Sequence, residues 1–142
     1  MRILCLDIGK HRIGVAVSDQ MGWSAQGVSV IERKGWAKDL KQIADYCREY
    51  EVENILIGLP TATDGSEGKA ALLVRDFAKR LEEKLKEDSF SIPLEFWDES
   101  YSTVNAHEIL IKAGFGRKRR KKVVDKIAAV NILTDYLENN RG

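Results

Sequence analysis

Short apolar runs come first along this chain, and longer amphipathic ones are interleaved after them. "RILCLD" and "RIGVAVSD" are rich in aliphatic and β-branched residues and are separated by "IGKH", a spacing that suits a hairpin. "QGVSVIER" follows the turn region around Gly22 and reads as a third strand. From Trp36 to Tyr50 the period changes, and Trp36, Ala37, Leu40, Ile43, Ala44 and Cys47 mark one face of a helix. "NILIG" is then a short apolar strand closed by Gly58 and Pro60. Gly68 to Lys86 is amphipathic again, with Val74, Phe77, Ala78, Leu81 and Leu85 at helical spacing. "IPLEFWDE" predicts a fifth strand, Val104 to Ala113 a helix, "GFGRKRRKK" a loop, and Val124 to Glu138 a last helix.

The order is β-β-β-α-β-α-β-α-α, without internal repeat. Three strands joined by short links should be antiparallel, and two strands each reached through a helix should be parallel to the first. The expectation is an α/β fold of one domain over residues 1–142, a mixed five-stranded sheet with helices on its faces. In open sheets of this kind ligands sit beyond the carboxyl ends of the strands. Asp7 and Glu99 both fall at such ends.

Composition narrows the class. With 142 residues, 44% apolar and 32% charged, the chain is that of an ordinary globular domain. It shows no basic-then-apolar leader and no apolar run long enough to span a bilayer. Cys5 and Cys47 are far apart and form no CxxC pair, so both read as small buried hydrophobes in a reducing compartment, with the cytoplasm as the default. Net charge is only +1, yet Arg117, Lys118, Arg119, Arg120, Lys121 and Lys122 follow one another without interruption. Such a run is either a solvated, self-repelling segment or a grip on a polyanion.

The acidic residues sharpen the choice. Asp7 ends an apolar strand, where an aspartate often serves only as a turn-former. Asp98 and Glu99 alternate in direction, so at most one can share the face of Asp7; alternatively Asp98, Ser100 or Ser102 could merely cap the helix that follows. Asp125 opens the last helix, where it would complement the helix dipole. If the first and fifth strands share an edge and the last helix packs across it, three carboxylates converge. At about 4 Å each like-charged pair opposes the others by on the order of 4 kcal/mol at an effective dielectric near 20. Hard divalent cations resolve that conflict, and an oxygen-only donor set suits Mg²⁺ or Mn²⁺. Two such ions could activate water and neutralise a leaving oxygen in phosphodiester cleavage.

Four segments, "LCLDIGKHRIGVAVSD", "ILIGLPTATDGSEG", "WDESYSTVNA" and "VVDKIAAVNILTDYL", resemble in their order the YqgF/RuvX family, bacterial proteins described as Holliday-junction resolvases and as processing the precursor of the small-subunit ribosomal RNA. The resemblance implies a ribonuclease H-like fold and an acidic triad of Asp7, Glu99 and Asp125. Asp19 also fits the family pattern and is expected to shape the turn after the second strand. Gly58, Leu59, Pro60, Asp64 and Gly65 resemble the family's loop after the fourth strand, which could offer backbone N–H groups to a phosphate. Three positions depart from the pattern: Ser100 stands where an arginine is usual, Thr61 to Thr63 where an asparagine is, and Ser102–Thr103 replaces a threonine pair.

The basic run precedes Asp125 almost directly, so a polyanion gripped there would lie near the proposed ions, with Lys10 and Arg12 extending the track. His11 and His107 make no zinc or nucleophile site, although His11 could move a proton near Asp7. Trp23, Trp97 and Tyr101 could stack bases, whereas Trp36 falls on an apolar stripe and reads as packing. The leading expectation is a nuclease acting on a DNA four-way junction or an rRNA precursor. Cutting a junction twice would call for a homodimer, for which no interface can be read. A non-catalytic binding module and a relative of actin-like ATPases, which share the aspartate–glycine hairpin, are the alternatives.

Overall fold

The computed structural model describes residues 2–60, 68–98 and 117–140, with side chains in the last segment described for 127–139. The strands are β1 (Ile3–Ile8), β2 (Arg12–Ser18), β3 (Ala25–Glu32), β4 (Asn54–Leu59) and β5 (Leu94–Asp98); the helices are α1 (Trp36–Glu49), α2 (Lys69–Glu87) and α3 (Arg117–Asn140). They form one sheet in the order β3-β2-β1-β4-β5. β1 pairs antiparallel with β2, and β2 with β3, while β1–β4 and β4–β5 are parallel. The expected directions therefore hold for every pair. The helix expected over Val104 to Ala113 lies outside the described residues.

β1 is central because its apolar residues serve both faces. Leu4 and Leu6 join the core beneath α1 and α2, while Ile3 and Cys5 join the core beneath α3. The two cores differ in grain. The first is filled by large side chains, with Ile43, Phe77 and Leu81 fully buried. The second mixes sizes: the small Cys5 and Ala16 of the sheet and Ala129 of the helix are fully buried beside Leu56, Ile132 and Leu133. Small residues on both sides let a helix backbone lie close to the sheet. One register shift, between Val15 and Ala16, interrupts the β2–β3 ladder.

The β2–β3 turn bears out the expectation for Asp19. Its carboxylate accepts the Trp23 N–H at 2.8 Å and the Ser24 hydroxyl at 3.2 Å, and its carbonyl accepts the Gly22 N–H at 3.1 Å. Gly22 has φ 73°, a conformation that favours glycine. The Trp23 N–H is the main cause that holds the Asp19 carboxyl below its ordinary value. A depressed folded value means that the stabilisation is present above the unfolded value and is lost as pH falls through the folded one. An Asp19→Ala chain should thus melt earlier than the unmodified chain at neutral pH, with the gap closing in acid. Melting curves across an acid series check this; a gap independent of pH would contradict it.

Cys5 and Cys47 are free and buried, and burial pushes the Cys47 thiol up to about 12. Such thiols are inert at neutral pH. Among the described residues no helix is long and apolar enough to cross a membrane.

Candidate active site

Asp7 is inside β1, paired with Gly14, and so does not form the turn. Alternation along the strand puts it on the face of Ile3 and Cys5, the one that α3 covers. The sheet register explains why a charge is tolerated there. Gly14 lies beside Asp7 on β2. On β4, Leu6 pairs with Ile57, so the next position across from Asp7 is Gly58, itself paired with Trp97 of β5. Ordinary neighbours in such a row bring β-carbons to roughly 5 Å of one another. Here glycines flank the aspartate on both sides, and the half-buried carboxylate rises from a row cleared of adjacent side chains.

The turn after Asp7 is tightly specified. The Gly9 N–H donates to the Arg12 carbonyl at 2.8 Å, and a β-carbon on Gly9 would meet that same oxygen at 2.8 Å, so no larger residue fits unchanged. Lys10 and His11 are exposed at the tip and Arg12 is half-buried. Arg33, just beyond β3, holds this tip. Its N–H donates to the His11 carbonyl at 2.9 Å and its Nη1 to the Gly9 carbonyl at 3.2 Å. Its Nε reaches Asp39 Oδ2 at 3.3 Å, while Asp39 Oδ1 accepts the Lys34 N–H at 3.0 Å. The guanidinium also stacks on Trp36 and Phe77 at 5.1 and 5.2 Å. Reading the sequence alone missed this pair. The available signal was an aspartate on the apolar stripe of a helix, three residues after Trp36 and four before Ile43.

The other expected ligands are placed less fully. β5 ends at Asp98, and Glu99 lies outside the described residues. Glu95 and Trp97 face α3, so Asp98 points to the opposite side from Asp7, and of the two acids it is not the one that shares that face. Asp125 belongs to α3, three and four residues before the buried Ala128 and Ala129; its side chain lies outside those described. Gly65, Asp64, Thr61 to Thr63, Ser100, Tyr101, Ser102, Thr103 and His107 also lie outside.

Two expectations need correction. "GFGRKRRKK" was expected as a loop with the helix starting at Val124, but the helix starts at Arg117, so Arg117, Lys118, Arg119, Arg120, Lys121 and Lys122 form its first turns. Lysine and arginine have high helix propensity, and no glycine or proline interrupts the run after Gly116. The run lacks apolar markers, so periodicity could not reveal it. β4 likewise runs through Gly58 to Leu59, whose ladder partners are Trp97 and Asp98. These two are therefore strand residues and not loop residues; Pro60, which follows, has no N–H to give.

The donor chemistry fits a hard divalent cation: each of Asp7, Glu99 and Asp125 offers only carboxylate oxygen, and the positions level with Asp7 on both neighbouring strands are glycines. Among the described residues no three acidic, histidine or cysteine side chains gather closely enough to hold an ion; Asp7 is the one expected ligand whose side chain is described.

Comparison with known proteins adds to this geometry. The chain matches the RuvX family, described as "Holliday junction resolvase", over residues 1–139. It is 49% identical over 138 residues to a protein of Syntrophomonas wolfei subsp. wolfei, covering 97% of this chain and 94% of the relative. It is 46% identical over 138 residues to one of Clostridium perfringens, covering 97% of each. Both carry the name "Putative pre-16S rRNA nuclease". Among solved structures, RuvC of T. thermophilus in complex with Holliday junction substrate superposes with a TM-score of 0.63 at 12% identity, over 100% of this chain and 97% of that one. The Fowlpox virus resolvase with its junction DNA gives 0.61 at 12% identity, over 100% of both chains. At such identities the likeness is one of fold. A central strand carrying a carboxylate, the matched strand order and the match over residues 1–139 together make this chain a member of the RuvX family with the ribonuclease H-like fold.

Proposed function

We propose that this protein is a divalent-metal-dependent nuclease that hydrolyses phosphodiester bonds in structured nucleic acid. The observation that carries the reading is Asp7, on the central strand, between two glycines on the face covered by α3. Asp7, Glu99 and Asp125 would hold Mg²⁺ or Mn²⁺, in this reading two ions. Bound there, the metal would lower the pKa of a water and stabilise charge on the phosphoryl oxygens. The chain's own part is to set the carboxylates at fixed spacing and to draw the phosphate backbone toward them.

The placement of the basic run supports the second role. Its cations fill the N-terminal turns of α3, the positive end of the helix dipole, and no acidic residue offsets them in the first turn. A segment that violates local electrostatics is expected where a ligand compensates, and a polyanion does so. Lys10 and Arg12, on the Arg33-braced turn beside Asp7, continue the track. The segment after Pro60, Gly65 included, would contribute any backbone N–H contact to a phosphate at the end of β4.

The favoured substrate is a precursor of the small-subunit ribosomal RNA, because the relatives named for that activity share 46–49% identity with this chain. A four-way DNA junction cut by a homodimer is the second reading, favoured by the family description. The buried free thiols suit the reducing cytoplasm.

The test offers the purified chain labelled precursor rRNA, junctions, duplexes and single strands, in Mg²⁺ or Mn²⁺ and over a salt series. Cutting of the precursor that falls steeply with salt and stops with a chelator is the expected result. Binding without cutting in both metals would overturn the nuclease reading in favour of a non-catalytic module.

A further inference from the structure

β5 is an edge strand, separated from β2 by β1 and β4, while α3 lies mainly over β1, β2 and β3 and only touches β4. The sheet alone therefore does not tie β5 to α3. Two side-chain hydrogen bonds do. The Trp97 indole N–H donates to Asp135 Oδ2 at 2.9 Å, and the Tyr136 hydroxyl donates to Glu95 Oε2 at 2.8 Å. The two rings meet edge to face, with centroids 5.3 Å apart and planes at 86°. Asn139 Nδ2 donates to Asp135 Oδ1 at 3.2 Å and to the Asp135 carbonyl at 2.8 Å, so both carboxylate oxygens of Asp135 are engaged and its orientation is set. Burial and the Glu95 acceptor raise the Tyr136 phenol above its ordinary value, so it stays a donor at neutral pH.

Trp97 precedes Glu99 by two residues, and Asp135 follows Asp125 by ten on the same unbroken helix. We propose that Trp97, Asp135, Glu95 and Tyr136 form a positioning clamp that holds the strand leading into Glu99 at a fixed distance from the helix carrying Asp125, and so sets the affinity of the carboxylate site for divalent ions. The inference rests on the metal-site reading above. None of the four residues is a ligand; they act by removing the freedom of an edge strand before an ion arrives. Without the clamp, an ion must order β5 as it binds, and the loss shows as weaker binding.

The test uses the full chain bearing Asp135→Ala together with Tyr136→Phe, and Tyr136→Phe alone as a milder second variant. Mn²⁺ is titrated into each by calorimetry without nucleic acid, melting is followed without metal, and cleavage is measured against metal concentration. The double variant should bind Mn²⁺ about tenfold more weakly, in the range of other supports one layer behind metal ligands, and need about tenfold more metal for half-maximal cleavage. Saturating metal should return its kcat to within about twofold, and Asp135→Asn, which keeps an oxygen for the indole, should bind Mn²⁺ nearly as the unmodified chain does. Unchanged Mn²⁺ affinity in both variants, or a kcat loss that excess metal does not restore, overturns the clamp alone. Failure of the unmodified chain to bind Mn²⁺ overturns the metal-site reading, and the clamp with it.

Discussion

An Asp7→Asn chain should fold as the unmodified one does and lose cleavage by about 10³-fold or more, the equivalent of about 4 kcal/mol in the barrier. Asparagine has the shape of aspartate, and the positions level with Asp7 on β2 and β4, Gly14 and Gly58, carry no side chain. The change therefore removes the charge while keeping the shape. A neutral amide is a poor ligand for a hard cation, and the remaining carboxylates would repel one another without gaining an ion to share. Nucleic-acid binding should largely survive, because the cations of α3 and the turn are untouched. The check pairs single-turnover cleavage in Mg²⁺ with a melting curve. Undiminished cutting at an unchanged melting point would remove Asp7 from the mechanism.

The second large effect is on stability. Arg33→Ala should destabilise the fold by about 3 kcal/mol, lowering the melting midpoint by roughly 6–12 °C. The Asp39 side chain is 2% exposed, against 20% for Arg33, so removing the arginine leaves a buried carboxylate with the Lys34 N–H but without its cation. The Gly9 carbonyl loses a donor and the Trp36 and Phe77 rings lose a stacked guanidinium at the same time. Arg33→Lys should recover only part of the loss, since an ammonium on a flexible stem cannot reproduce a planar fork that bonds Gly9 and Asp39 together. Thermal melts of both variants decide the matter; a shift below 2 °C for Arg33→Ala would mean that the pair contributes little.

Much of the fold was legible because the hydrophobic pattern is clean. All five strands and the helices from Trp36 and from Lys69 lie within a residue or two of their expected places, and the antiparallel-then-parallel arrangement follows from the lengths of the links. The start of α3 was not legible, because periodicity needs apolar residues to mark a face and the basic run has none. Asp7 was picked out by its place at a strand end, but the reason it can stand there depends on which residues lie level with it across two ladders. Register of that kind is a tertiary property. The same holds for Trp97 and Asp135, 38 residues apart, and for the Gly9–Arg33 bond across 24. Each is a long-range contact between groups whose types alone advertise nothing.

The step in register between Val15 and Ala16 bears on how the molecule behaves in a crowded solution. β3 is an outer strand eight residues long, and a straight border of that length would invite a second molecule to add its own strand. The step breaks the border into two short stretches that a regular neighbour cannot match at once, and the opposite border, β5, is only five residues long. Fibrous stacking is thus discouraged at both rims of the sheet, which lets an exposed ribbon persist without recruiting a second sheet.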